Sequence, residues 1–309
     1  MSSDNIVSKL VDVGKAGGRK IKSKVTTMAL HKKPLVPDYI YSSRVKDSDV
    51  AYFERQYFRA SDSYAADVKE TKERFEYATR IGYTFFADLR RAVEAGSPTI
   101  KKLSERVTFL GNKGYDWGYI PGLINKNSTL YGFGVGTDIS FEVELGKAHN
   151  CPVHVFDATP QSIEYAVKIG RAEPLINFYP YGLLSRDALA KFYKPNEHGL
   201  GSLSVTNLHF GDAYIDAPVM RLTTIARQLG HEHIDLLKID IEGSEYDAID
   251  DMLFTGFPVD QFAVEFDQPT PPWRTERYIA KLHGAGYHLV HVQGLNCLFV
   301  HDRVVKKVR

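Results

Sequence analysis

Four carboxylates stand at the ends of two apolar runs in this chain, where they could take up protons or hold a cation. Asp240 and Glu242 close the first run, and Glu265 and Asp267 close a second run further along the chain. Such runs predict strands buried on both faces of a parallel sheet. Because ligands bind outside the carboxyl ends of such strands, these carboxylates should face the ligand crevice. Lys238 also lies within the first run, and a charge in a buried strand needs a partner.

Three uses are open to such a carboxylate group. Asp240 or Glu242 could cap the helix predicted over 244–253. One member could instead act as a general base for a weakly acidic hydroxyl, or the group could hold Mg²⁺ through its oxygens. No histidine or asparagine is placed to complete a metal site, so the sequence favours a base and no metal. The candidate catalytic residues are Asp240, Glu242, Glu265 and His198.

A second pattern combines three glycines with one acid between two predicted strands. Gly132, Gly134 and Gly136 leave the backbone free to turn sharply and to approach a ligand. Asp157 lies at the end of the next strand, where an acid can accept hydrogen bonds from ribose hydroxyls. The pattern differs from the dinucleotide fingerprint, because Thr137 holds the place of the third glycine. It indicates an adenosine-type cofactor, and the alternative is a tight turn that binds nothing.

The run Leu237–Glu245, LKIDIEGSE, resembles the signature of the FkbM-type S-adenosylmethionine-dependent methyltransferases. The similarity covers roughly residues 115–309 and includes further matching features: the glycines Gly134 and Gly136, the ribose-binding acid Asp157, the strand Gln261–Asp267 and a closing hairpin. The resemblance implies the Rossmann-like α/β fold of class I methyltransferases, with seven mostly parallel strands and the last one antiparallel. It also implies an O-methyltransferase that uses S-adenosyl-L-methionine, often on sugar hydroxyls.

This sequence departs from the family at two positions of the glycine motif. Gly132 stands where class I methyltransferases usually carry an acid that helps to hold the methionine amino group, and Asp138 stands where many have a further glycine. Asp138 could replace that acid, or it could be a favourable charge at a helix amino terminus. Two alternatives to a carbohydrate O-methyltransferase therefore stay open. One is an enzyme acting on a lipid, polyketide or protein, and the other is a non-catalytic protein with the cofactor fold.

Composition narrows the class of protein. The chain has 309 residues, of which 43% are hydrophobic and 25% charged, so it can bury a full core. Its net charge of +1 gives no reason to expect nucleic-acid binding. The two cysteines, Cys151 and Cys297, suit buried reduced thiols, which indicates a reducing compartment and a cytoplasmic location. No apolar run is long enough to predict a membrane span.

The sequence predicts three regions. Residues 1–36 form a basic and flexible tail that is either solvated or docks on an anionic membrane or an acidic glycan carrier. Residues 37–114 form a helical extension, because apolar side chains recur at three- and four-residue steps over 65–95. We expect this extension to cap the crevice and to contribute to the acceptor pocket. Residues 115–309 form the methyltransferase domain.

Strand and helix alternate along this domain and end in a hairpin over 287–301, which predicts a mostly parallel sheet with helices on both faces. A hairpin-like passage over 183–208 interrupts the alternation, and a helix follows near 219–229. Upstream of the domain, a helix is expected over 99–110 and a turn over 111–118.

Overall fold

The structure is a computed structural model that describes residues 68–170, 172–195, 202–207, 212–267, 270, 272–305 and 307. The predicted tail and the first part of the predicted extension lie outside these residues. The helices of the described part are α1 (Val68–Glu94), α2 (Pro98–Ser104), α3 (Ser140–His149), α4 (Pro160–Gly170), α5 (Leu222–Leu229), α6 (Glu245–Thr255), α7 (Pro272–Gly284) and α8 (Asp302–Val305).

The strands, numbered in the same way, are β1 (Thr108–Leu110), β2 (Trp117–Tyr119), β3 (Leu130–Phe133), β4 (Val153–Phe156), β5 (Ile176–Tyr179), β6 (Gly182–Leu183), β7 (Ala188–Tyr193), β8 (Tyr214–Met220), β9 (Ile234–Ile239), β10 (Val259–Glu265), β11 (Tyr287–Gln293) and β12 (Asn296–His301). Seven of them form one sheet in the order β11-β12-β10-β9-β3-β4-β5. The strands β3, β4, β5, β9 and β10 pair in parallel, and β12 pairs antiparallel with both β10 and β11. The predicted sheet is confirmed.

The order of the sheet reverses between β3 and β9. From β3 the chain runs outward through β4 to β5, and it then returns to β9 on the other side of β3. Such a switch point opens a crevice at the carboxyl ends of the two strands. The glycine turn follows β3, and the carboxylates follow β9 and β10, so the topology brings both predicted patterns to one edge of the sheet.

Alternate residues of the central strands enter two hydrophobic cores, one on each face of the sheet. Leu237 and Phe262 belong to one core, while Leu236 and Ala263 belong to the other. All of them are buried, as the apolar runs predicted. The two cysteines are buried and free, and burial raises the pKa of the Cys151 thiol. Within the described residues, none of the helices combines the length and the apolar character that a membrane crossing requires.

Helix α1 is a single helix of 27 residues whose apolar face joins the core of the sheet domain. Phe85, Phe86 and Leu89 are buried there, and the ring of Phe86 stacks on that of Phe266 at a centroid distance of 6.2 Å. Phe266 lies directly after β10, between Glu265 and Asp267. The described part of the extension therefore packs at the edge of the sheet that carries the carboxylates.

Two expectations about local structure are wrong. The helix predicted over 99–110 ends at Ser104, because residues 108–110 pair antiparallel with 117–119, a tertiary pairing that the helical pattern did not reveal. The strand β7 lies within the passage predicted as a hairpin over 183–208. It pairs antiparallel with β8, which lies outside that passage. With β6, these strands form a separate three-stranded sheet, and α5 starts only after it.

Candidate active site

The glycine turn after β3 packs directly against the end of β9. Gly134 has a φ of +86°, and a Cβ atom at this position would lie 1.7 Å from the backbone oxygen of Asp240. Only glycine tolerates this approach, so substitution at Gly134 would displace the end of β9. Gly136 has a φ of +51°, and a Cβ atom there would meet nothing within 4 Å. The turn is thus closed toward β9 at Gly134 and open at Gly136.

Gly132 leaves room for a buried carboxylate that the sequence analysis did not single out. A Cβ atom on Gly132 would lie 2.7 Å from Oε1 of Glu142, which reaches back from α3 and is only 2% exposed. Lys238 Nζ lies 3.2 Å from the same oxygen and donates a hydrogen bond of 3.3 Å to the carbonyl of Gly134. Class I methyltransferases usually have an acid at the position of Gly132. Here Glu142, from the helix that follows the glycine turn, places a carboxylate beside that position instead.

Lys238 has the partners that a buried charge in a strand requires. Its side chain is 4% exposed and lies between Glu142 and Asp240, whose Oδ2 is 3.9 Å from Nζ. Burial lowers the pKa of Lys238, but the two carboxylates outweigh burial and raise it. Removing one member of such a pair would leave the other charge buried alone. Lys238 therefore joins α3, the glycine turn and the end of β9.

Asp157 lies at the glycine turn, as predicted, and it holds the turn by hydrogen bonds. Its Oδ2 accepts from the backbone N–H groups of Val135 and Gly136 at 2.9 and 3.3 Å. Its Oδ1 accepts from the backbone and the hydroxyl of Thr159, both at 2.8 Å. The side chain is half-buried, and these four hydrogen bonds match the roughly four acceptor positions of a carboxylate, so a ribose hydroxyl would have to replace or share one of them.

Asp138 caps the start of α3. Its Oδ1 accepts from the backbone N–H of Ser140 at 2.8 Å, and its Oδ2 accepts from the side-chain amide of Asn112 at 2.8 Å. Burial raises the pKa of Asp138, but the hydrogen bonds from Ser140 and Asn112 outweigh it and lower the pKa below its ordinary value. This geometry fits the helix-terminus alternative, and the role in place of the family's acid stays a prediction.

The structure brings three of the four predicted carboxylates together. β9 and β10 are parallel neighbours, with Ile239 opposite Val264, so their ends meet. One oxygen each from Asp240, Glu265 and Asp267 lies within 4.8 Å of the others. We call these three residues the carboxylate cluster. Burial raises the pKa of Asp240 to about 6 against the opposing charge of Lys238, and burial together with the charges of Asp240 and Glu242 raises the pKa of Glu265 to about 8.

Glu242 lies beside this cluster on the turn that leads into α6. Its backbone is left-handed, with a φ of +54°, and its carbonyl accepts a hydrogen bond of 2.5 Å from the hydroxyl of Ser204. A non-glycine residue in this conformation needs support from its surroundings. Ser204 pairs with Tyr193 at the end of β7, so the small three-stranded sheet is tied to the signature turn. The fourth candidate, His198, lies outside the described residues.

Glu245 belongs to the signature, and its side chain accepts hydrogen bonds from the backbone of the turn before α6. The sequence analysis did not single out this role. Its side chain is completely buried, and its Oε1 accepts from the backbone N–H groups of Ile241 and Gly243, both at 3.1 Å. Gly243 N also donates to Oδ2 of Asp267 at 3.0 Å. Burial raises the pKa of Glu245 to about 7. The N–H groups of Ile241 and Gly243, in the turn before α6, are thus bound by Glu245 and Asp267.

Helix α1 brings a phenol to the carboxylate cluster. Tyr83 is 53% exposed, and its pKa is raised by burial and by the charges of Glu265 and Asp267. It lies off the apolar stripe of the helix, so the periodicity gave no signal for it. The expected contribution of the extension to the acceptor pocket stays a prediction, and Tyr83 is the residue on which it can be tested.

The sheet order and the glycine turn at its switch point define a class I methyltransferase fold. The sequence model of one family, described as the methyltransferase FkbM domain, matches residues 122–289, which is more than half of the chain. The chain therefore belongs to the FkbM methyltransferase family and is a methyltransferase of the S-adenosylmethionine-dependent class I type. No curated protein matches the chain.

Three solved structures are similar to this chain at low sequence identity. The methyltransferase FkbM from Methylobacillus flagellatus is 13% identical, with a TM-score of 0.43 over 82% of this chain and 59% of its own length. A TehB-like SAM-dependent methyltransferase from Corynebacterium glutamicum is 12% identical, with a TM-score of 0.33 over 72% of this chain and 100% of its own. The N-terminal domain of human METTL16 in complex with SAH is 12% identical, with a TM-score of 0.32 over 84% of this chain and 95% of its own.

Proposed function

We propose that this protein is an O-methyltransferase that transfers the methyl group of S-adenosyl-L-methionine to a hydroxyl of a carbohydrate or glycan. The observation that carries the proposal is the contact of Gly134 with the backbone of Asp240, since it sets the glycine turn directly beside the carboxylate cluster. A turn suited to an adenosine-type cofactor and groups suited to a hydroxyl therefore share one crevice.

The residues of the turn fit this cofactor. A Cβ atom on Gly136 would meet nothing within 4 Å, so a ligand can approach the turn there, and Asp157 lies beside it directly after β4, where a ribose hydroxyl could replace one of its present donors. When bound, S-adenosylmethionine supplies a methyl group already activated on a sulfonium. The turn, Asp157 and the buried Glu142 would hold it, and the chain's remaining task is to orient the acceptor and exclude water, worth several kcal/mol of the barrier.

The carboxylates supply what a hydroxyl acceptor lacks. A sugar hydroxyl is a weak nucleophile, and its attack is assisted when a neighbouring group accepts its proton. Asp240, Glu242 and Glu265 are the candidates for this role, and the side chain of Asp240 is 31% exposed, which gives an acceptor access to it. The carbohydrate class rests on the family resemblance. The methyl-transfer assay described below would also detect a lipid, polyketide or protein acceptor.

Cofactor binding is tested by calorimetry on the full chain with S-adenosylmethionine and with NAD as the comparison ligand. Gly136→Leu should abolish binding of S-adenosylmethionine, because the side chain would occupy the open space through which the cofactor approaches the turn. Gly256→Leu is the matched control, since Gly256 also has a left-handed φ, of +63°, and open space but lies at the end of α6. Tighter binding of NAD than of S-adenosylmethionine would overturn the assignment.

The acceptor is tested by following transfer of a labelled methyl group to a panel of oligosaccharides, lipids and peptides. Methylation of a glycan is the expected result. Transfer to a lipid or peptide alone would show that the acceptor class is wrong while the methyltransferase activity stands. Cofactor binding without transfer to any of them would favour the non-catalytic alternative.

A further inference from the structure

The small three-stranded sheet buries one of its faces and exposes the other. Ala190 and Val219 are buried together in a small core on the inner face. Because side chains alternate along a strand, the intervening residues of β7 and β8 lie on the opposite face. We call them the outer face, and they pair across the two strands as Leu189 with Pro218, Lys191 with Asp216, and Tyr193 with Tyr214.

The outer face combines two aromatic rings with one charge of each sign. Tyr214 is 45% exposed, and the centroid of its ring lies 5.8 Å from that of Tyr193, in an edge-to-face arrangement. Lys191 Nζ lies 4.0 Å from the centroid of the Tyr214 ring, and the exposed Asp216 lies opposite Lys191. An aromatic ring offers a flat apolar surface, and the apolar face of a sugar ring can stack on it.

A row of paired residues connects the outer face to the candidate active site. Ser204 pairs antiparallel with Tyr193 through two backbone hydrogen bonds of 2.8 and 3.0 Å. Residues directly opposite each other in antiparallel segments have their side chains on the same face, so Tyr214, Tyr193 and Ser204 form one row. The hydroxyl of Ser204 donates to the carbonyl of Glu242 at 2.5 Å. Since neighbouring strands lie about 4.8 Å apart, the two tyrosines follow at one and two strand spacings from Ser204.

The charges of the outer face favour a neutral polar ligand. Its one lysine and one aspartate balance each other, whereas an anionic membrane or a polyphosphate is attracted by an excess of basic residues. An ammonium group offers only donors and a carboxylate offers only acceptors. The hydroxyls around a sugar ring can use both at the same time.

We propose that the outer face binds one pyranose unit of the glycan acceptor, a neighbour of the unit whose hydroxyl is methylated. Tyr193 and Tyr214 stack on the apolar face of this unit, and Lys191 and Asp216 bind its hydroxyls. The inference rests on the proposed function for the class of the acceptor, and it adds the place where a second sugar unit is held. The methylated unit then lies beyond Ser204, at the carboxylate cluster.

The experiment measures binding of the full-length protein to an array of neutral glycans built from hexose and N-acetylhexosamine units, followed by calorimetry with the hexasaccharide that binds best. Tyr193→Ala and Tyr214→Ala should each weaken binding about fivefold to tenfold, because each removes one stacking ring. Tyr214→Phe keeps the ring and should stay within about twofold of the wild type. Tyr115→Ala is the matched control, since Tyr115 is an exposed tyrosine between β1 and β2.

Circular dichroism on the same samples identifies a variant that fails to fold, in which case Asp216→Ala replaces it and should also weaken binding. Wild-type affinity in the folded variants would overturn the proposal, as would equal weakening in Tyr115→Ala or the absence of glycan binding by the wild type. Sedimentation tests a second copy of the chain as the occupant. A dimer that Tyr214→Ala dissociates would show that this face is an interface and would overturn the glycan site.

Methyl transfer separates this proposal from the proposed function. In Tyr214→Ala, KM for the hexasaccharide should rise about fivefold or more, while kcat/KM for a methyl glycoside of a single sugar unit should stay unchanged. Transfer to the hexasaccharide with an unchanged KM would refute the outer-face site alone. Glycan binding that depends on Tyr193 and Tyr214, without binding of S-adenosylmethionine, would support the site and refute the proposed function alone.

Discussion

Two groups of acidic residues lie at opposite ends of the same pair of strands, and they differ in how their charge is balanced. At the amino ends of β9 and β10, Asp235 and Asp260 lie beside His233, within the same 4.8 Å that the carboxylate cluster spans. Arg303 Nε donates to Asp260 at 2.6 Å, His233 lies 3.1 Å from it, and Thr129 N donates to Asp235 at 2.7 Å. Every acid at this end has a partner.

At the carboxyl ends, the acids mostly face one another. Burial raises the pKa of Asp267 well above its ordinary value, and the charges of Glu245, Glu242 and Glu265 raise it further. At the amino end, burial also raises the pKa of Asp260, but His233 and Arg303 outweigh it, and the pKa is lowered. The comparison teaches that burial alone does not decide the direction of a carboxylate's pKa shift, because neutralising partners at one end of the strands reverse the effect of burial.

The largest difference between the two ends should appear in turnover. Asp240→Asn should lower kcat about 10²-fold or more, because an amide can neither accept the proton nor serve as a charged ligand. Binding of S-adenosylmethionine should change little, since the contact of Asp240 with the glycine turn is made by its backbone. The measurement is release of S-adenosylhomocysteine with the acceptor that the wild type methylates. Near-normal turnover would move the proton acceptor to Glu242, Glu265 or His198.

Stability should respond in opposite directions at the two ends. Asp260→Asn leaves His233 and Arg303 without their carboxylate and should destabilise the fold by about 2 kcal/mol. Asp267→Asn removes one of several repelling acids and should leave the chelator-treated protein equally stable or more stable. Chemical denaturation of both variants in the presence of chelator measures the difference. A loss for Asp267→Asn as large as that for Asp260→Asn would show that both ends are structural networks.

This difference marks the limit of what the sequence could predict. Apolar runs and the alternation of strand and helix predicted the mostly parallel sheet and placed the acids at strand ends, because these features depend on local pattern and on the rules of parallel sheets. The number of strands came from the family resemblance. The partners are set by tertiary packing. Arg303 comes from the last helix, and Glu142 reaches Lys238 only because Gly132 leaves it room. The burial of Glu245 likewise depends on the path of the turn around it. From the sequence alone, an acid at the start of a helix is expected to be exposed.

The amino end should also give stability a pH dependence. The hydrogen bond with Asp260 raises the pKa of His233, against the opposing effect of burial, and the charges of Asp260 and Asp235 add to the rise. A group whose pKa is higher in the folded state stabilises the protein fully below its unfolded pKa, about 6.5 for histidine. That contribution is lost as the pH rises through the folded pKa. Wild type should therefore lose stability relative to His233→Gln between pH 6 and pH 9, by less than the effect of Asp260→Asn. If the free energies of unfolding of wild type and His233→Gln changed with pH in the same way in denaturant titrations, this coupling would be excluded.

The smallest effect should come from Tyr83, the phenol that α1 sets beside the carboxyl end. Tyr83 is half exposed and close enough to Glu265 and Asp267 for their charges to raise its pKa, while Phe85, Phe86 and Leu89 of the same helix are buried in the core. Tyr83→Phe keeps the ring and removes only the hydroxyl, so the fold and cofactor affinity should be unchanged. If α1 lines the acceptor pocket, KM for the acceptor should rise about threefold, the loss of one hydrogen bond to an exposed hydroxyl, and kcat should stay the same. Arg90→Gln, an exposed change further along the same helix, is the control. An unchanged KM in Tyr83→Phe and in Tyr83→Ala would leave α1 as a structural cover of the sheet and exclude it from acceptor binding.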